Sequence, residues 1–97
     1  MLTIEEGVEG TVVLKGRLDA AQAPLAQAHL DGVHGTATLD LAGLDYISSA
    51  GLGVLLKTQK RLMAGGGRLR LAGVNPHVRD ILVYSGFDQL FEIEPAP

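Results

Sequence analysis

Apolar residues alternate with polar ones near the start of the chain, then recur at three- and four-residue spacings, then alternate again. Residues 2–5 and 11–15 are short β-prone runs, and Gly7-Val8-Glu9-Gly10 between them predicts a hairpin. Gly16-Arg17-Leu18-Asp19 ends the second strand. Asp19 suits the N-cap of a helix over residues 21–30, in which Ala23, Leu25, Ala26 and Leu30 make a loosely apolar face. Pro24 falls in its first turn, where a missing N–H costs little. After the turn cluster Asp31-Gly32-Val33-His34-Gly35, the run Thr36 to Leu41 reads as a buried strand.

The helix that follows Ser49 carries Leu52, Leu55, Leu56, Leu62 and Met63 close to the i, i+3, i+4 pattern, which predicts its buried side. Lys57, Lys60 and Arg61 fall elsewhere and predict a solvated face, with a rim of charges for an acidic partner as the alternative, and their basic charge suits the helix C-terminus. Gly65-Gly66-Gly67 stops the helix, because glycine takes the left-handed cap conformation without a Cβ clash. Arg68 to Ala72 alternates as a half-buried strand does. Asn75 and Pro76 supply the N-cap and first residue of a third helix, with Val78, Ile81 and Leu82 inward and Gly86 at its end. Leu90 to Ile93 reads as a last strand, and Pro95-Ala96-Pro97 is expected to fray. The order β-β-α-β-α-β-α-β predicts one α/β domain over residues 1–97. Its sheet is mixed and mostly parallel, with an N-terminal hairpin and three helices packed on it.

Composition narrows the chemistry. The 97 residues are 46% hydrophobic and 4% aromatic, enough for a core built from Leu, Val, Ile and Ala. Eight basic residues against eleven acidic ones leave a net charge of −3, which gives a nucleic-acid backbone no footprint. With no cysteine, disulfides and thiolate chemistry are excluded. The start, Met1 to Glu6, has neither a basic nor an apolar stretch of a secretory signal, and no apolar run approaches the ~20 residues of a membrane span. The expectation is a soluble cytoplasmic protein.

The richest chemistry lies in Tyr46-Ile47-Ser48-Ser49-Ala50-Gly51-Leu52-Gly53. A strand runs towards it and a helix leaves it, so two serines stand at a helix N-terminus. First-turn N–H groups there lack intrahelical partners and the helix dipole favours negative charge. A serine so placed caps the helix, and it can also carry a phosphate, so the segment reads as a switch. Other chemistries fit worse. Gly51-Leu52-Gly53 lacks the third glycine of a dinucleotide loop, since position 56 is Leu. His29, His34 and His77 have no metal-ligand spacing, so neither a metal nor another cofactor is expected. Ile47 to Gly51 lacks the glycine that a nucleophile elbow needs two residues before its serine. No enzyme is expected.

Taken together, Gly16-Arg17-Leu18-Asp19, Leu39-Asp40-Leu41, Ile47 to Leu52, Gly65-Gly66-Gly67, Asn75-Pro76-His77-Val78 and Ser85-Gly86-Phe87-Asp88 resemble a STAS domain, most closely the stand-alone bacterial anti-sigma factor antagonists. The resemblance covers nearly the whole chain. It implies a partner switch: the unmodified antagonist binds an anti-sigma factor that is also a serine kinase. The kinase phosphorylates one serine, the complex parts, and a phosphatase resets it. That serine falls on Ser49, with Ser48 as the alternative acceptor. The implied partner surface is Asp19, Ser48, Ser49, Ala50, Gly51, Leu52 and Gly53, with small glycines admitting a close approach and Leu52 mostly core.

The chain departs from the family in three places. Ser48 stands where an acidic residue is usual, Ala50 stands where Ser or Thr is common, and no further helix follows the last strand. Apolar surface left without that helix would suit a homodimer. The competing expectation is a STAS subunit of a membrane lipid-transport ATPase, where the serine is only a cap. Nucleotide binding by the domain itself is a weaker third.

Overall fold

The computed structural model describes residues 1–95; the fraying expected of Ala96 and Pro97 lies outside them. Five strands form one sheet in the order β1 to β5: Leu2–Glu6, Thr11–Leu18, Thr36–Ile47, Arg68–Val74 and Glu92–Pro95. β1 and β2 are antiparallel, and every later pairing is parallel. Helices α1 (Ala23–Leu30), α2 (Ser49–Ala64) and α3 (Pro76–Tyr84) join the parallel strands. Each crossover advances one strand in the same direction, so right-handed connections put all three helices on one face. Burial agrees: Leu14, Leu18, Leu39, Leu41, Leu69 and Leu71 are buried, whereas Lys15, Arg17, Arg68 and Arg70 on the opposite face are exposed. This is the mixed sheet with a hairpin and three helices that the sequence predicts.

β3 runs well past its expected end at Leu41. Two register shifts against β2, between Val13 and Lys15 and between Gly16 and Arg17, make this possible. Each inserts one residue into β3, so two consecutive residues face away from the core: Ala42 with Gly43, then Asp45 with Tyr46. Leu44 and Ile47 thereby return to the core. At the first shift the Asp40 carboxylate accepts the Ala42 N–H at 3.0 Å. β2 likewise continues through Gly16 to Leu18. Gly16 adopts φ +95°, and a Cβ there would collide with the Met1 carbonyl.

The helices correct several details. α1 starts at Ala23, because Asp19 caps the preceding turn, its carboxylate accepting the Gln22 N–H at 3.1 Å. Leu25 points outward while Ala23, Ala26 and Leu30 are buried. In α2 the inward side is Gly51, Leu52, Val54, Leu55, Thr58, Gln59 and Leu62; Leu56 is half-buried and Met63 exposed. Two polar residues thus take interior positions, and each is satisfied. Thr58 Oγ1 donates to the Val54 carbonyl at 2.9 Å. Gln59 Oε1 accepts the Leu69 N–H at 2.6 Å, and its Nε2 donates to the Leu90 carbonyl at 2.7 Å. Arg61 is no solvated cation. Its Nη2 donates to the Leu30 and Val33 carbonyls at 2.7 and 2.8 Å, closing the C-terminal end of α1.

Asn75 caps α3 through the Val78 N–H at 2.9 Å and donates from Nδ2 to the Leu44 carbonyl at 2.8 Å. The last strand is displaced from Leu90–Ile93 to Glu92–Pro95, because Phe87–Gln89 form a short 3-10 turn after Gly86 and Phe91 is drawn into the core. Pro95, expected to fray, pairs with Val74 at the sheet edge, where its missing N–H costs no ladder bond.

Two substitutions probe how α2 is seated. Gln59→Leu strips the partners from two backbone groups at about 1–3 kcal/mol each. Thermal unfolding should fall by roughly 8 °C or more, at about 4–8 °C per kcal/mol for a chain of this size. Gly51→Ala places a Cβ 2.8 Å from Leu18 Cγ and the Leu18 carbonyl and 2.9 Å from Ile47 Cγ1. Such overpacking costs about 1–3 kcal/mol, so calorimetry should show a Tm at least ~4 °C below wild type.

Candidate functional site: the junction of β2, β3 and helix α2

Strands β2 and β3 end side by side, with Leu18 opposite Ile47. The Ser48 N–H donates to the Leu18 carbonyl at 2.9 Å. Asp19 and Ser48 therefore leave the sheet from one point, at the C-terminal edge where open α/β sheets present their sites.

Ser48 has an extended backbone (φ −88°, ψ 172°) and is the N-cap of α2. Its hydroxyl accepts the Gly51 N–H at 3.2 Å, and its carbonyl accepts the Leu52 N–H at 2.9 Å. The side chain is half-buried. Ser49 is the first helical residue and is exposed, as is Ala50. Among the described residues, no intrachain hydrogen bond holds the Ser49 hydroxyl. The first turn of α2 carries no acidic residue, so its field of unpaired N–H groups is not neutralised by a carboxylate on the same turn.

The seven residues singled out in the sequence do not all face outward. Ser49, Ala50 and Gly53 are exposed, and Asp19 and Ser48 are half-buried. Gly51 and Leu52 are buried, so they cannot form part of a contact surface in this conformation. The close approach expected at Gly51 is internal: its missing Cβ leaves room for Leu18 and Ile47. Gly53 is the opposite case, since a Cβ there would meet no atom within 4 Å. Asp19 also has an internal task, holding the turn that starts α1.

Two features flank the serines. On the helical side, a groove of about 460 Å³ runs between α1 and α2, lined by Gln27, Ala50, Gly53, Val54, Lys57 and Lys60, with Leu56 alongside. On the open sheet face, the Arg17 guanidinium lies 4.4 Å from the Tyr46 ring centroid, within cation–π range. Sequence reasoning missed this pair. The two residues come together only because the second register shift sets Arg17 opposite Tyr46. Among the described residues, no cluster of three His, Cys, Asp or Glu is placed to hold a metal, and no helix is long and apolar enough to cross a membrane.

Known proteins share this plan. A family model described as "Mlab, STAS domain" matches residues 1–93. The protein named "Putative anti-sigma factor antagonist BtrV" of Bordetella bronchiseptica is 38% identical over 98 residues, spanning 95% of this chain and 84% of the relative. Among solved structures, an anti-sigma factor antagonist from Mycobacterium paratuberculosis superposes with a TM-score of 0.77 at 22% identity, covering 99% of this chain and 86% of that one. The phosphorylated form of the Bacillus cell fate determinant SpoIIAA superposes at 0.68 and 24% identity, covering 96% and 90%. At such identities the structures speak for the fold alone, and the sequence matches carry the family. This chain belongs to the STAS domain family.

Proposed function

We propose that this protein is an anti-sigma factor antagonist, acting in the cytoplasm as a non-enzymatic partner switch with Ser49 as its phosphoacceptor. The observation that carries the reading is the division of labour between the two serines. Ser48 spends its hydroxyl on the Gly51 N–H, whereas Ser49 stands exposed at the first helical position. The name of the 38% identical relative BtrV supports the functional class. The partner is an anti-sigma factor with serine kinase activity, and a protein phosphatase completes the cycle.

In the forward step the Ser49 oxygen bonds to the γ-phosphorus of ATP, the hydroxyl proton leaves, and ADP departs. The phosphate adds about −1.5 to −2 charges at neutral pH. The N-terminus of α2 offsets this by about 0.3–1 kcal/mol, so the modified protein stays folded. The consequence lies in binding. A dianion inside a dry interface, close to the carboxylate of Asp19, is desolvated without a counterion. A loss of ~3–4 kcal/mol weakens the complex several-hundred-fold, at ~1.4 kcal/mol per tenfold. No large rearrangement is required.

A second reading is a STAS subunit of a membrane lipid-transport ATPase, docked permanently through the same surface. The complete Ser48–Gly51 cap in the unmodified chain supports it, because a cap needs no further task for the serines. Neighbouring genes discriminate the two: kinase, phosphatase and sigma-factor genes against permease and ATPase genes.

Incubation with the partner kinase and ATP, followed by mass spectrometric mapping, should place one phosphate on Ser49. Ser49→Ala should abolish incorporation. Ser48→Ala should leave it at Ser49 while losing about 1 kcal/mol of stability with the cap. Ser49→Asp should weaken partner binding at least ~tenfold with Tm within a few degrees of wild type. Phosphate confined to a distant residue, or unchanged binding by Ser49→Asp, would count against the reading.

A further inference from the structure

Glycine inside a helix is destabilising relative to alanine, so an exposed helical glycine calls for a reason. For Gly51 the reason is internal. For Gly53 nothing among the described residues supplies one, since a Cβ there would meet no atom within 4 Å. Gly53 lines the groove between α1 and α2, on the same side of α2 as Ala50, Lys57 and Lys60. These residues follow at spacings of three, four and three, which keeps them on one face over about 15 Å of helix. The two small residues leave the end of the groove nearest Ser49 shallow-walled, and the two lysines stand at the other end.

The charge of the groove points to its occupant. Among the described residues, no carboxylate lines it. Ion pairs among the described residues engage Lys15, Arg68 and Arg70, but neither Lys57 nor Lys60, both of which are exposed. Arg61, one residue on, is committed to the carbonyls of Leu30 and Val33 and does not contribute. A chain with a net charge of −3 thus places two cations without an ion-pair partner among the described residues on the helix that begins at its serines. Small residues followed by cations suit a helix that packs closely at one end and offers carboxylates at the other.

We propose that the groove between α1 and α2 is a docking site for an acidic amphipathic helix of the partner protein. The proposal rests on the partner-switch reading above and extends its footprint from the serines along α2 to Lys60. It also adds a second source of repulsion to the switch. A phosphate on Ser49 sits next to Ala50 at the mouth of the groove, so its charge opposes the occupant's carboxylates as well as Asp19.

The test uses the full chain and the kinase that modifies it at Ser49, with affinity measured by calorimetry at low and high salt. The double variant Lys57→Glu, Lys60→Glu should bind at least tenfold more weakly than wild type and show a flatter salt dependence. Gly53→Leu, which adds an apolar side chain to the groove at a position where a Cβ meets no atom within 4 Å, should also lose at least tenfold while its Tm does not fall. Both variants binding within twofold of wild type, with Ser49→Asp still weakened, would overturn the groove and leave the switch standing. Loss by the lysine variant without loss by Gly53→Leu would overturn the seated helix in favour of diffuse attraction. Self-association of the wild type in sedimentation runs, abolished by the lysine variant, would assign the groove to a second copy and overturn the proposal. A wild type that binds no such kinase removes the partner-switch reading and this inference with it.

Discussion

The site depends on one junction, where the Ser48 N–H meets the Leu18 carbonyl and Gly51 lies against Leu18 and Ile47. A backbone hydrogen bond sets the height at which α2 leaves the sheet, and a missing Cβ sets how closely the helix presses onto the strand ends. Both constraints act on backbone or on fully buried side chains, which interiors close-packed like organic crystals hold rigidly. The position of Ser49 follows from them, one residue beyond the cap and turned to solvent.

That rigidity explains how a switch could work here without moving parts. Ser48 completes the helix end with a neutral hydroxyl, so the adjacent serine is not needed for the cap, and the proposed charge on it leaves the cap in place. A group that contributes little to the folded state can change a binding energy by several kcal/mol while leaving stability almost untouched. The serines differ in exposure and in hydrogen bonding: Ser48 caps the helix and Ser49 is exposed.

Helix α2 also organises the rest of the helical layer through side chains that reach across it. Gln59 ties the start of β4 to the residue before Phe91, and Arg61 closes the end of α1. Each is a polar group satisfying backbone atoms that secondary structure leaves unpaired. The face that remains, Ala50 to Lys60, carries no such internal duty, and it borders the serine.

Local patterns in the sequence determined the order of elements, the fold class, the glycine stop after α2 and the Asn75-Pro76 start of α3, because periodicity, caps and turn chemistry act over a few residues. They also pointed to the serine pair at a helix mouth. Only the tertiary structure decided what depends on partners distant in the chain. β3 reaches Ile47 because β2 accepts two bulges, although Asp40, Ala42 and Gly43 look locally like a strand's end. Arg61 resembles a solvated lysine until α1 brings it two carbonyls from some thirty residues away. The two glycines of Gly51-Leu52-Gly53 are equivalent as letters; the packing of Leu18 and Ile47 against one and of nothing against the other separates them. Which of Ser48 and Ser49 caps α2 was likewise undecidable from spacing, because it turns on which hydroxyl the Gly51 N–H reaches.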